Sequence, residues 1–241
     1  MMVVSRTLVA AALSLLLSPP ILCAKEPAGC VDGSCHLAVQ KRLKKSPFVH
    51  EPARDGSCTA CHEPHANGRP GKLRKPLGAV CYGCHDDVGS RVRGGKSVHR
   101  MIAQDKCQAC HDPHGSEREH LLVAPLAPAG RVRPDASDQE LCWRCHKREL
   151  ATASGVSAST RFRNGSRNLH ALHLNGPKGV TCGGCHDPHA GSAEKLLDGV
   201  GKGTGGSGKA ASGFTRTAEG GACIVACHKE RRYDRVKPVR P

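Results

Sequence analysis

Seven times along the chain a pair of cysteines closes on a histidine. The sets are Cys30 and Cys35-His36, Cys58 and Cys61-His62, Cys81 and Cys84-His85, Cys107 and Cys110-His111, Cys142 and Cys145-His146, Cys182 and Cys185-His186, and Cys223 and Cys227-His228. Two thiols so spaced can form thioethers to the two vinyl groups of a porphyrin, and the adjoining imidazole then reaches the iron from the same side of the ring. The histidine is the informative letter, because zinc ribbons and disulfide scaffolds require none in that place. With 15 histidines in 241 residues, its presence after all seven pairs is far beyond chance. Five pairs have the standard two-residue gap. The pair at Cys30 and Cys35 encloses four residues and that at Cys223 and Cys227 three, so these two attachments are conditional on machinery that accepts a longer gap.

Each of the seven irons would take a proximal imidazole from its own motif, and the position opposite decides between electron carriage and substrate chemistry. Eight histidines remain: His50, His65, His99, His114, His120, His170, His173 and His189. Beyond the first two residues the only methionine is Met101, so methionine cannot be the general second ligand. Eight imidazoles for seven positions predict His/His ligation throughout, which closes the irons to substrate and favours outer-sphere electron transfer at low potential. His50 and His99 lie eight residues before a motif and His173 nine, whereas His65, His114 and His189 each follow a proximal histidine by three. These six are the distal candidates. His170 is the seventh by elimination, since His120 aligns with Lys195 and roughly with Lys72, as a solvated residue would; His120 stays the alternative. Residues three apart in a turn point the same way, so His62 and His65 would not serve both faces of one ring. The trailing histidine is expected to reach a neighbouring haem and tie the cofactors into a chain, the alternative being a bond to a propionate.

The histidines also mark a repeat. An upstream His, a motif with a trailing Pro-His, a loop and a second motif recur from His50 to His85, from His99 to His146 and from His173 to His228. This pattern resembles the doubled CXXCH motif family, multihaem c-type cytochromes related to the class III type, over roughly residues 46–229. The resemblance implies haem c as cofactor and an electron-carrying role. The extra leading motif at Cys30 and the stretched closing one at Cys223 depart from the family pattern. The organisation read from the chain is a signal peptide at 1–24, a single-haem segment at 25–45, three units at 46–90, 91–150 and 165–229, and a basic tail at 230–241.

Composition agrees with a core made of cofactor. Leu, Val, Ile and Phe make 34 of the 217 residues after Ala24, and the whole chain has six aromatic residues; a charged chain so poor in apolar residues does not fold alone. Frequent Gly and Pro predict a mostly irregular fold with short helices and little or no β, organised around a chain of haems. The helices expected are His36 to Lys45, His146 to Ala153 and His228 to Tyr233; Leu126 to Asp138 and Asp198 to Gly221 read as surface loops. Within the second, Gly203 to Lys209 mimics a phosphate-binding loop but has Ala210 where a magnesium-coordinating Ser or Thr would stand, and reads as a flexible linker.

Residues 1–24 carry Arg6, an apolar stretch from Leu8 to Leu17 and a possible cut after Ala24, which predicts export to the periplasm, or an extracellular or outer-membrane-associated place. Cys23 as a lipid-bearing residue is the alternative, although Leu22 fits that poorly. The formal charge of +15 invites a nucleic-acid reading, but seven haems would bring about fourteen propionate charges, so the cations read as their partners and as solvated surface. Expected partners are other redox proteins: cytochromes, a quinol-linked donor or a terminal reductase. The chain reads as an electron carrier rather than an enzyme. Two alternatives stand beside it, a reductase with one open haem, and a subunit that self-assembles into a filament or sits in an outer-membrane conduit.

Overall fold

The computed structural model describes residues 30, 36–64, 71–129, 139–152, 155, 160–176, 179–198, 213–225 and 228–240. Cys35, Cys227, His65, the segment 1–24 with Cys23, and the linker at 203–209 lie outside them.

Local chemistry sets the helices. α1 (Leu37–Lys45) follows the first motif, with Arg42, Lys44 and Lys45 in its last turn, where cations meet the negative end of the helix dipole. α4 (Asp86–Gly94) is its counterpart after the third motif, with Asp86 and Asp87 in the first turn and Arg91 and Arg93 in the last. α7 (Glu149–Thr152) holds part of the helix expected after His146. The others are α2 (Glu51–Arg54), α3 (Leu77–Tyr82), α5 (Arg100–Ala103), α6 (Glu140–Trp143) and α8 (Leu169–Asn175).

Two-residue ladders knit one unit to the next. β1 (Phe48–Val49) pairs antiparallel with β3 (Gly115–Ser116), and β2 (Ser97–Val98) pairs with β6 (Ala190–Gly191). In both, the segment before an upstream histidine meets the segment after the next unit's trailing histidine. A Cβ on Gly191 would stand 2.5 and 2.6 Å from the carbonyl carbon and Cα of Leu196, backbone that cannot rotate away. Gly191→Ala is therefore expected to destabilise the holoprotein by about 1–3 kcal/mol, measured by denaturant unfolding.

The C-terminal end departs from expectation. β4 (Arg163–Asn164) and β5 (Arg167–Asn168) form a hairpin, and β7 (Gly213–Arg216), β8 (Gly220–Val225) and β9 (His228–Asp234) form an antiparallel sheet. The helix expected over His228–Tyr233 is thus a strand, the last part of the Asp198–Gly221 loop is strand as well, and β is more than the little expected. Tertiary pairing overrides local propensity here: β8 carries Ile224 and Val225 and presents Gly220 and Gly221 to Tyr233, whose backbone and ring occupy the space a side chain there would need. Residues 230–234 belong to β9, and the tail beyond is bound: Asn164 Oδ1 accepts the Val239 N–H at 2.8 Å, and its amide donates to the Val239 carbonyl at 2.6 Å.

Among the described residues the buried apolar set is Ala124, Ala127, Ala151, Ala171, Ala190 and Tyr233, while Leu37, Phe48, Leu172 and Ile224 are exposed. No described Leu, Val, Ile or Phe is fully buried.

Candidate haem sites

The five regular motifs share one closed turn. The histidine N–H donates to the carbonyl of the first cysteine at 2.9 Å in the motifs of His62, His85, His146 and His186 and at 3.0 Å at His111, and the second cysteine N–H donates to the same carbonyl at 3.2 Å. That fold of the backbone puts both sulfurs and the imidazole on one side. The seventh motif is built otherwise: Cys223 lies in β8 and His228 opens β9, opposite Val225. Its longer gap includes Ile224 and Val225, the end of β8.

No disulfide joins the described cysteines. Burial pushes Cys58, Cys61, Cys110 and Cys223 up and Cys81 up to about 11, which keeps them protonated. Side chains of successive motifs touch: Cys30 with Cys58, Cys81 with Cys107, and Cys142 with Cys182 are hydrogen-bonded. The bond between the last two raises Cys142 and lowers Cys182. Cys61 lies near Cys84, and Cys110 near Cys145. From first to sixth, the motifs are neighbours in chain order.

Six proximal imidazoles each face a second imidazole. The ring centroids are 6.0 Å apart for His85 and His50, 5.9 Å for His62 and His114, 6.4 Å for His146 and His99, 6.1 Å for His111 and His189, 6.4 Å for His186 and His170, and 6.4 Å for His228 and His173. A metal–imidazole bond of about 2 Å, plus about 1.1 Å from nitrogen to ring centre, puts two axial imidazoles of one metal about 6.2 Å apart. The residues therefore fit an iron held in a porphyrin plane between each pair. Among the described residues no group of three or more His, Cys, Asp or Glu is set to hold a metal ion. Three histidines are not in these six pairs: His36, His120 and His65, the last lying outside the described residues.

The pairing follows a rule. The second motif of a unit faces that unit's own upstream histidine, as His85 faces His50, His146 faces His99 and His228 faces His173. The first motif faces the trailing histidine of the next unit, as His62 faces His114 and His111 faces His189. The third unit has no successor in the chain, and His170 stands against His186 instead.

Neighbouring groups orient two of these rings, and burial favours the neutral form of five. His111 Nδ1 and His186 Nδ1 lie 2.8 Å from the carbonyls of His120 and Lys195. An Nδ1–H donated there leaves Nε2 free for a metal and raises its basicity. Both carbonyls belong to left-handed residues, with φ of 56° at His120 and 61° at Lys195. The bridges His62–Leu73, His111–Leu122 and His186–Leu197 align the three loops, so His120 corresponds to Lys195 and to Gly71, at φ 73°, one position short of Lys72. His120 is exposed. Burial lowers the pKa of His99, His114, His186 and His189 and takes His170 to about 4, helped there by His186 and His173. The neutral imidazole is the form that ligates.

Sequence reasoning missed the residues behind the ligands: Thr160, whose Oγ1 lies 3.0 Å from His170 Nδ1, and Phe162, whose ring lies 5.2 Å from His170 and 5.6 Å from His173. No spacing signal marks them.

Repeated Cys-Cys-His turns, each ending in an imidazole, define the class, a multihaem c-type cytochrome with covalently bound haem. The family model of the doubled CXXCH motif matches residues 50–90 and 99–151, and those two stretches belong to that family. The third unit lies outside the matched stretches but carries the same turn and trailing Pro-His. Comparison with the curated proteins finds no match.

Proposed function

We propose that the protein carries seven haems and relays single electrons along them in chain order, every iron closed by two imidazoles. The six imidazole pairs at 5.9–6.4 Å carry this reading. The ligand sets are His36/His65, His62/His114, His85/His50, His111/His189, His146/His99, His186/His170 and His228/His173. Bound haem supplies reversible one-electron chemistry. The chain's own residues do the rest: imidazoles on both faces exclude substrate, burial favours the neutral form at His99, His114, His170, His186 and His189, and the touching cysteines bring successive attachment points together.

The leader at 1–24 supports export, with the periplasm as the place of work and other cytochromes, a quinol-linked donor or a terminal reductase as partners. Among the described residues no helix is long and apolar enough to cross a membrane. The carrier reading is preferred to a reductase because each described proximal histidine from His62 onward already faces an imidazole.

Intact mass of the exported protein is expected to show seven covalent haems and loss of the leader, with an oxidised spectrum that is low-spin throughout. A spectrum dominated by high-spin haem would overturn the carrier function.

A further inference from the structure

We infer that the ion pairs Arg42–Asp112 and Arg91–Asp187 are latches, each between the helix that follows a motif and the trailing turn of a later unit, that position the distal imidazoles His114 and His189. The inference rests on the ligand sets proposed above. In each latch one carboxylate oxygen shapes the turn that carries the histidine. Asp112 Oδ1 accepts the His114 N–H at 3.1 Å, and Asp187 Oδ1 accepts those of His189 at 2.8 Å and Ala190 at 3.4 Å, the local bonding of an Asx turn. The other oxygen takes an arginine from a helix far earlier in the chain: Arg42 Nη1 of α1 reaches Asp112 Oδ2 at 2.9 Å, and Arg91 Nη1 of α4 reaches Asp187 Oδ2 at 2.7 Å. Beside each latch an upstream histidine N–H donates to the trailing histidine's carbonyl, His50 to His114 and His99 to His189, both at 3.1 Å.

The residues at the ends of the array distinguish these pairs from incidental surface contacts. Arg42 and Arg91 each stand six residues after a motif histidine, His36 and His85. Six residues after His146 stands Thr152, which has no charge to offer a carboxylate, and its hydroxyl donates to the Arg148 carbonyl at 3.3 Å. Where the second and third units have Asp before Pro-His, the first has Glu63, which pairs within its own loop with Lys72 at 2.6 Å. Arginine and aspartate thus stand together at the two crossings, whereas Thr152 and Glu63, at the corresponding places, bond locally. At the unlatched end α8 takes over, offering His170 and His173 from one helix to two motifs.

Exposed ion pairs contribute little to stability, about 0–1 kcal/mol; Arg42 and Arg91 side chains are 56% and 48% exposed. Their effect is instead on where the imidazole stands, and supporting residues of this kind change metal affinity by about 10–100-fold. Arg91 and Asp187 are positioning residues for His189, and Arg42 and Asp112 for His114.

The test compares Arg91→Ala, Arg91→Lys, Asp187→Asn and His189→Ala in the haem-loaded protein, reading high-spin content, carbon monoxide uptake by the reduced form and the thermal midpoint. Arg91→Ala and Asp187→Asn are expected to raise the carbon-monoxide-accessible fraction of one haem at least about tenfold with the midpoint held. Arg91→Lys should restore most of the closure, and His189→Ala should open that haem fully. If His189→Ala opens a haem while Arg91→Ala behaves as wild type, or only lowers the midpoint, the latch is overturned and the ligand sets stand. If His189→Ala opens nothing, the ligand set itself fails.

Discussion

His170→Ala is expected to open one iron and leave the others closed. The oxidised spectrum should gain a high-spin component of about one haem in seven, and the reduced protein should bind about one equivalent of carbon monoxide where wild type binds none. Geometry isolates the effect to the sixth motif, because the His170 ring faces that of His186 at 6.4 Å. The helix should survive. Asn168 Oδ1 caps α8 by accepting the backbone N–H groups of residues 170 and 171 at 2.9 and 3.3 Å, bonds that alanine keeps, and alanine is the best helix former. Thr160 Oγ1 loses the imidazole but still accepts the Phe162 N–H at 3.0 Å. His120→Ala should leave the spectrum unchanged, since that side chain is exposed and only its carbonyl is engaged. An unaltered spectrum for His170→Ala, with a high-spin component in His120→Ala, would reverse the assignment.

The second large effect concerns folding. Cys→Ser at the ten cysteines of the five regular motifs is expected to yield a chain with no cooperative thermal transition and an unordered far-ultraviolet spectrum. Burying a large aliphatic side chain contributes about 1.5–3 kcal/mol, and ordering each residue costs about 1–2 kcal/mol of backbone entropy. In the described residues the buried apolar side chains are five alanines and one tyrosine, and the largest fully buried ones are the polar Gln139, Asn168 and Thr181. Too little apolar surface leaves water for the polypeptide to fold by itself. A cooperative transition with native-like spectrum in the substituted chain would show that the polypeptide supplies its own core.

The local half of this architecture was legible in the chain and the long-range half was not. A Cys-x-x-Cys-His turn closes through bonds three and four residues apart, so its chemistry is written in adjacent letters. α1 was equally readable, as a short helix following the first motif. Which imidazole faces which depends on contacts between units, such as β1 with β3 and β2 with β6, that no single-unit pattern contains. His170 was reached by elimination alone; its placement comes from α8, where Asn168 starts a helix that sets His170 and His173 three residues apart on one side. The strand at His228–Tyr233 was missed because its charged sequence has no β preference of its own and takes its form from β8 and the glycines facing Tyr233.

The backward reach of the trailing histidines has a consequence in time. A chain delivered N-terminus first presents His50 before His85, His99 before His146 and His173 before His228, so those second motifs emerge with their closing imidazole already waiting. The first motifs do not. His114 follows His62 by 52 positions and His189 follows His111 by 78, and until they arrive those two sites have one face uncovered. His170, ahead of His186, spares the last first motif that interval. On the proposed ligand sets, maturation is expected to run with a delay of one unit, each newly delivered segment sealing the site behind it.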